Sequence, residues 1–139
     1  MSKYFISGVI QANLQDGIVS QDYRRVLKEI IETTHKGSIV IDPHDICEKP
    51  QDIPVDDIVE IRRIFEGNIQ RLLQSDIIVA YLPTCSNGTS IEIYEAFRAG
   101  KTVYTITSLK KNWVVKLYST KVFDSINDFS EFLKQTYKQ

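Results

Sequence analysis

The residues best suited to chemistry lie together in Leu82-Pro83-Thr84-Cys85-Ser86-Asn87-Gly88-Thr89-Ser90-Ile91-Glu92. Ser86, Gly88, Thr89 and Ser90 are small or hydroxylated. Where such a segment opens a helix, its backbone N–H groups converge and favour an anion. A helix is expected over about 89–98, which puts Glu92 in its first turn. The helix dipole there favours the ionised carboxylate, the form a carboxylate nucleophile needs. A structural reading competes. Thr89-Ser90-Ile91-Glu92 also has the spacing of a capping box, in which Glu92 would only accept the backbone N–H of Thr89.

A second polar residue points the same way. Ile61, Phe65, Asn68 and Leu72 are spaced i, i+4, i+7, i+11, so Asn68 falls on an apolar helical stripe. A buried amide needs partners, from neighbouring backbone or from a ligand. His44, in Asp42-Pro43-His44-Asp45, follows a strand-like run. A histidine there can be solvated, or can contact or protonate a base near neutral pH. Asp76 reads as a turn or cap residue, and His35 as a cap that complements a helix C-terminus. Cys85 has no histidine partner and reads as loop filler. Trp113 with Lys111 and Lys116 reads as a packing or subunit contact.

These residues must be held by something. Tyr4-Phe5-Ile6, Ile39-Val40-Ile41, 77–81 and 102–106 are short runs rich in β-branched and aromatic residues, and Lys121-Val122-Phe123 is a shorter fifth. They read as strands buried on both faces. Between them the 3.6-residue period recurs. A helix over about 20–35 is expected to be capped by Ser20 and ended by Gly37. A second is expected over 55–74 with Asp56 and Asp57 in its first turn, and a short one over 112–119. A last helix starts near Ser125 or Asn127 and buries Phe129, Phe132, Leu133 and Tyr137. Alternating strands and helices predict one α/β domain over 1–139. It is a five-stranded parallel, flavodoxin-like (Rossmann-like) sheet of order 2-1-3-4-5 with helices on both faces. Ligands of such sheets sit beyond the carboxyl ends of the strands, at the switch point between the first and third.

The 139 residues suffice for one core, with 42% hydrophobic and 25% charged residues. Lysine and arginine number 17 against 18 aspartates and glutamates. That balance offers no excess charge for a nucleic-acid polymer. Two cysteines, Cys47 and Cys85, have no metal-ligand spacing and fit a reducing cytoplasm. No run is long and apolar enough for a signal peptide or membrane span. No metal and no cofactor are expected.

The chain resembles the nucleoside 2-deoxyribosyltransferase superfamily, and within it the small 2'-deoxynucleoside 5'-monophosphate N-glycosidases. Three pieces carry the resemblance: 4–10 with its glycine turn, 66–80 with Asn68 and Ser75-Asp76-Ile77-Ile78-Val79-Ala80, and Ser86-x-Gly88-x-x-x-Glu92 followed by Ala96 and Gly100-Lys101-Thr102-Val103. The resemblance implies a nucleophilic Glu92 and an Asn68 that holds it and the sugar hydroxyls. His44 would lie near the base. Ser7, Gly8, Ile10, Ser86, Gly88 and Ser90 would bind substrate. Many members carry aspartate at the position of Asn68. The transferases usually carry aspartate six residues before the nucleophile, where this chain has Ser86. A hydroxyl with the Gly88 and Ser90 amides can donate to a 5'-phosphate that a carboxylate would repel.

The implied reaction is cleavage of the N-glycosidic bond of a nucleoside or its 5'-monophosphate through a glycosyl-glutamate. The alternatives are a base-exchanging transferase on nucleosides, a cytokinin-type phosphoribohydrolase sharing only Gly88-Thr89 and Glu92 of its loop, and a non-catalytic nucleotide-binding module. Two departures stand out. Tyr94 replaces a family glycine, and 112–118 replaces a serine-bearing segment that reaches a neighbouring subunit, with Asn112 or Lys116 as substitutes. A homodimer or higher homo-oligomer is implied, with Trp113, Tyr118, Phe129 and Phe132 as candidate contact surface.

Overall fold

A computed structural model describes residues 1–8, 20–45, 47 and 50–138. Strands β1 (Lys3–Gly8), β2 (Ile39–Ile41), β3 (Ile77–Tyr81), β4 (Thr102–Ile106) and β5 (Lys121–Phe123) form one sheet of order β2-β1-β3-β4-β5. Every neighbouring pair is parallel. The expected fold class is thus the observed one.

The helices are α1 (Asp22–Thr34), α2 (Ile58–Leu73), α3 (Asn87–Arg98), α4 (Trp113–Tyr118) and α5 (Ile126–Thr136). Side chains alternate across each strand, and this sorts the core into two layers. Tyr4, Ile6, Ile77 and Val79 pack with Leu27 and Ile31 of α1 and Phe129 and Leu133 of α5. Phe5, Ile78, Ala80 and Val103 pack with Leu72 of α2 and Ile93 and Ala96 of α3. The same alternation puts Ser7 on the α2/α3 face and Gly8 on the α1 face. That parity decides what each can touch at the strand end.

Several helix boundaries differ from expectation. Gln21, not Ser20, is the N-cap of α1, and its side chain makes no capping bond. Asp57 caps α2 by accepting the Glu60 N–H, so Asp56 and Asp57 precede the first turn and Glu60 is the acid within it. Asn112 caps α4 and Ser125 caps α5. Gly37 and Gly100, at φ +86° and +73°, take the left-handed conformation that turns the chain after α1 and α3.

His35 stands at the C-cap of α1, as expected. Its Nδ1 lies 2.8 Å from Tyr4 Oη, and its ring stacks on Tyr137 at 3.8 Å. Desolvation lowers its pKa, which disfavours the charged ring here. Phe129 is fully buried and so offers no contact surface, whereas Trp113 is 81% exposed. With Trp113, the exposed Ile58, Phe65, Ile91, Tyr94, Phe97 and Leu117 leave α2, α3 and α4 with an apolar outer surface.

Candidate active site

The site is built where β1 and β3 end. The chain leaves β1 for β2 on one side of it and continues to β3 on the other. The segment that follows β1, 9–19, lies outside the described residues, so the described part of the site is the end of β1, the segment after β3 and the start of α3. Ile10 lies outside the described residues.

Helix α3 begins at Asn87, two residues before the expected start, because Ser86 is its N-cap. The Ser86 Oγ accepts the Thr89 N–H at 3.2 Å. The capping box is therefore not made, and Glu92 moves from the first turn to the second. Freed from its own helix start, the Glu92 carboxylate accepts a hydrogen bond from Ser7 Oγ at 2.8 Å, across 85 residues of chain. This bond joins the end of β1 to α3 at the switch point.

The early start also reassigns the small residues. Ser86 is buried, with its oxygen used by the cap, so only its O–H remains to donate. The Ser90 N–H is taken by the Ser86 carbonyl at 3.0 Å, so Ser90 can offer a ligand its hydroxyl but not its amide. Gly88 is partly buried, and a Cβ there would lie 3.6 Å from the Phe65 ring. Thr89 is buried, and its Oγ1 has no partner among the described residues. One helical turn from Glu92, it shares that residue's side of α3.

Glu92 is partly buried, and burial pushes its carboxyl up to about 7. The Ser7 hydroxyl opposes this, and the Arg24 charge opposes it to a smaller degree. Glu92 is therefore about half ionised at neutral pH. Any reaction that needs the carboxylate should rise tenfold per pH unit below about 7 and level above it. Ser7→Ala removes a donor that favours the charged form, so the rising limb should move to higher pH. A pH–rate profile of the variant that overlays the wild type would exclude Ser7 as the carboxylate's partner.

The most deeply buried charge near Glu92 belongs to Arg24, a residue with no local sequence signal. Arg24 is 3% exposed and pairs with Asp42 at 2.8 Å. Asp42 Oδ1 also accepts the His44 N–H at 3.0 Å. Tyr23, next along α1, packs its ring on Tyr81 at 4.6 Å, and burial raises its phenol well above the ordinary range. No local pattern marks Arg24, because Arg24-Arg25 in a helical run reads as a solvated face.

His44 sits in the turn after β2, in Pro43–Asp45, and its Nδ1 is buried without a partner among the described residues. Asn68 lies in the middle of α2, and its Oδ1 accepts from Arg71 at 3.1 Å. No hydrogen bond joins it to Glu92 among the described residues. The stripe that located it is only half real: Ile61 and Phe65 are 38% and 39% exposed, and Leu72 alone of the four is fully buried. Asn68 instead lines a recess of about 210 Å³ between α2 and the segment after β2, with Cys47, Ile53, Glu60, Arg63, Ile64 and Arg71.

Tyr94 does not crowd the site. It is two residues past Glu92, about 200° around the helix, and packs edge-on against Tyr118 at 5.0 Å. Asn112 is engaged as the α4 cap. Among the described residues, no helix is long and apolar enough to cross a membrane.

No family model and no curated protein sequence matches this chain. Solved structures do. The 2-deoxyribosyltransferase of Bacillus psychrosaccharolyticus matches over 93% of this chain and 90% of its own, with 14% identity and a TM-score of 0.68. This chain has the fold of a nucleoside 2-deoxyribosyltransferase. A conserved protein from Enterococcus faecalis V583 matches over 98% and 99% of the two chains, with 21% identity and a TM-score of 0.69. A flavoenzyme NAD(P)H:acceptor oxidoreductase from Paracoccus denitrificans matches less well, with a TM-score of 0.52 at 13% identity over 99% and 93% of the chains. The 2-deoxyribosyltransferase fold thus shares its sheet with other chemistries, and the reaction has to be argued from the site.

Proposed function

We propose that this protein breaks the N-glycosidic bond of a (deoxy)nucleoside or its 5'-monophosphate through a covalent glycosyl-glutamate on Glu92. The observation that carries the reading is the Ser7–Glu92 hydrogen bond, which holds a carboxylate off its own helix and at the switch point. A Glu92 oxygen attacks C1' as the C1'–N bond breaks, through an oxocarbenium-like state. The bonding pair leaves with the base, which takes up a proton. Water then attacks C1', releasing the sugar and restoring the carboxylate. In a transferase, a second base takes the place of that water.

The other residues are assigned on their surroundings. The His44 Nδ1, without a partner among the described residues, can hold or deliver the proton that the departing base needs. Asn68 lines the recess, and with Arg71 bonded to its oxygen its amide N–H donors are the groups it has to offer a ligand. The Ser86, Thr89 and Ser90 hydroxyls, with the first amides of α3, are the donors for a sugar or 5'-phosphate. Ser7 and Gly8 complete the substrate contacts at the end of β1, and Ile10, outside the described residues, is assigned with them on the resemblance alone. The free thiols Cys47 and Cys85 suit action in the cytoplasm. The apolar surface of α2, α3 and α4 suits a homo-oligomer.

The test is incubation with a panel of nucleosides and 5'-monophosphates, followed by chromatography for free base. Release from monophosphates alone supports the phosphate-directed reading. A new nucleoside on adding a second base marks a transferase. Binding of nucleotides without release of base from any member sinks the catalytic reading.

A further inference from the structure

We propose that Arg24 is a positioning residue for Glu92: it clamps the end of β1 so that Ser7 stays aimed at the carboxylate, and it fixes a positive charge nearby. The inference rests on the reading of Glu92 as the reacting group.

The argument begins with a gap in the sheet. Strand β2 has three residues, and its last pairing with β1 is Phe5 with Ile41. On its other side, β1 stays paired with β3 through Ser7–Ala80 and Gly8–Tyr81. Among the described residues, the last stretch of β1 therefore has a strand on one edge only. The carbonyls of Ile6 and Gly8, two residues apart, would be left without ladder partners on the other edge. Arg24 supplies them. Its Nη1 donates to the Ile6 carbonyl at 3.4 Å, and its Nη2 to the Gly8 carbonyl at 3.3 Å. These two residues flank Ser7.

The remaining donors complete the clamp. Nη1 also reaches Asp42 Oδ1 at 2.8 Å, and Nε reaches Gln21 Oε1 at 2.6 Å. Asp42 is the first residue after β2, so the ion pair continues the sheet where the strand stops. Through Asp42 Oδ1 the same pair holds the His44 backbone. One guanidinium thus links the end of β1, the end of β2 and the start of the histidine turn. A lysine could not make this fork of contacts. A guanidinium with 3% exposure is costly to bury, and an apolar pair of similar volume would often hold a fold as well. A role in the site accounts for keeping the charge. The titratable and charged groups at this corner are Arg24, Asp42, Tyr23, Tyr81 and Glu92. Arg24 favours the ionised form of Glu92, in agreement with the geometry.

The test reads the carboxyl directly and needs no substrate. In protein labelled with ¹³C at glutamate carboxyls, the Glu92 resonance is the one lost in Glu92→Gln. Arg24→Gln should raise its titration midpoint by about one pH unit, a tenfold gain in proton affinity. Asp42→Asn should lower the midpoint, because it leaves Arg24 unneutralised. A merely structural pair would move both variants in the same direction. Arg24→Lys should restore the midpoint in part, since it keeps the charge and loses the fork. In base-release assays Arg24→Gln should lower kcat more than it raises KM. Midpoints unchanged in Arg24→Gln and Asp42→Asn, or shifted the same way in both, overturn the proposal. Should Arg24→Gln fail to fold, Asp42→Asn and Arg24→Lys decide by the same shifts. If the midpoints move as expected and no nucleoside or nucleotide is cleaved, the proposed reaction falls while the positioning role stands.

Discussion

Glu92→Gln should abolish release of free base, by about a thousandfold or more, and should make the protein more stable above pH 7. The first effect follows from removing the atom that bonds to C1', since loss of a nucleophile commonly costs several powers of ten. The second follows from burial. Glu92 has a folded-state pKa raised to about 7, above the ordinary carboxylate range. Its contribution to stability is fully present below that ordinary range and is lost as pH rises through about 7. The amide of the variant has no charge to desolvate, so it escapes the loss. At about 1.4 kcal/mol per pH unit, the advantage of the variant at pH 8 is on the order of 3 kcal/mol. Thermal melts of the two proteins should nearly coincide at pH 4 and separate at pH 8, with the variant higher. A variant that keeps wild-type turnover would remove Glu92 from the chemistry. One that melts lower at pH 8 would remove the buried-charge account.

Gly8→Ala should be the most damaging single methyl group at the site. A Cβ on Gly8 would lie 2.1 Å from Tyr23 Oη and 2.6 Å from two of its ring carbons. Tyr23 cannot yield cheaply, because it is 7% exposed and its ring is held against Tyr81. The choice is between expelling a packed ring and bending the end of β1, whose Gly8 carbonyl Arg24 holds. Overpacking of this kind costs about 2 kcal/mol, or roughly 5–10 °C in Tm for a domain of this size. The strain also falls one residue from Ser7, so base release should drop with stability. Tyr23→Leu in the Gly8→Ala background should recover part of the loss, which a double-mutant cycle would measure. A Gly8→Ala protein with the wild-type Tm would show that the close approach is absent in solution.

The strands were legible because a strand buried on both faces needs an unbroken apolar run, and 77–81 is one. Alternation and handedness predicted a parallel sheet, and the count of five strands favoured the order 2-1-3-4-5, which is the one observed. The start of α3 was not legible, because Ser86 and Thr89 both stand three residues before a plausible N3 partner. Spacing cannot choose between two caps that differ by three residues, yet that shift decides whether Glu92 folds back or reaches out to Ser7. Asn68 was found by a period that real packing only half obeys, since α2 leaves Ile61 and Phe65 part-exposed. Arg24 was invisible because its importance lies in two carbonyls and an aspartate that are remote in sequence. The resemblance names the residues proposed to touch substrate. Contacts in three dimensions were needed to find what holds them.

The brevity of β2 and β5, three residues each at the two margins of the sheet, has a consequence for the protein at high concentration. An outside chain seeking to extend the sheet meets too few free amides and carbonyls to grip, and at one margin it also meets Lys121 poised over Phe132. Fibre growth by edge addition is starved of a template. Crowding should therefore not lead to strand-to-strand growth at these margins.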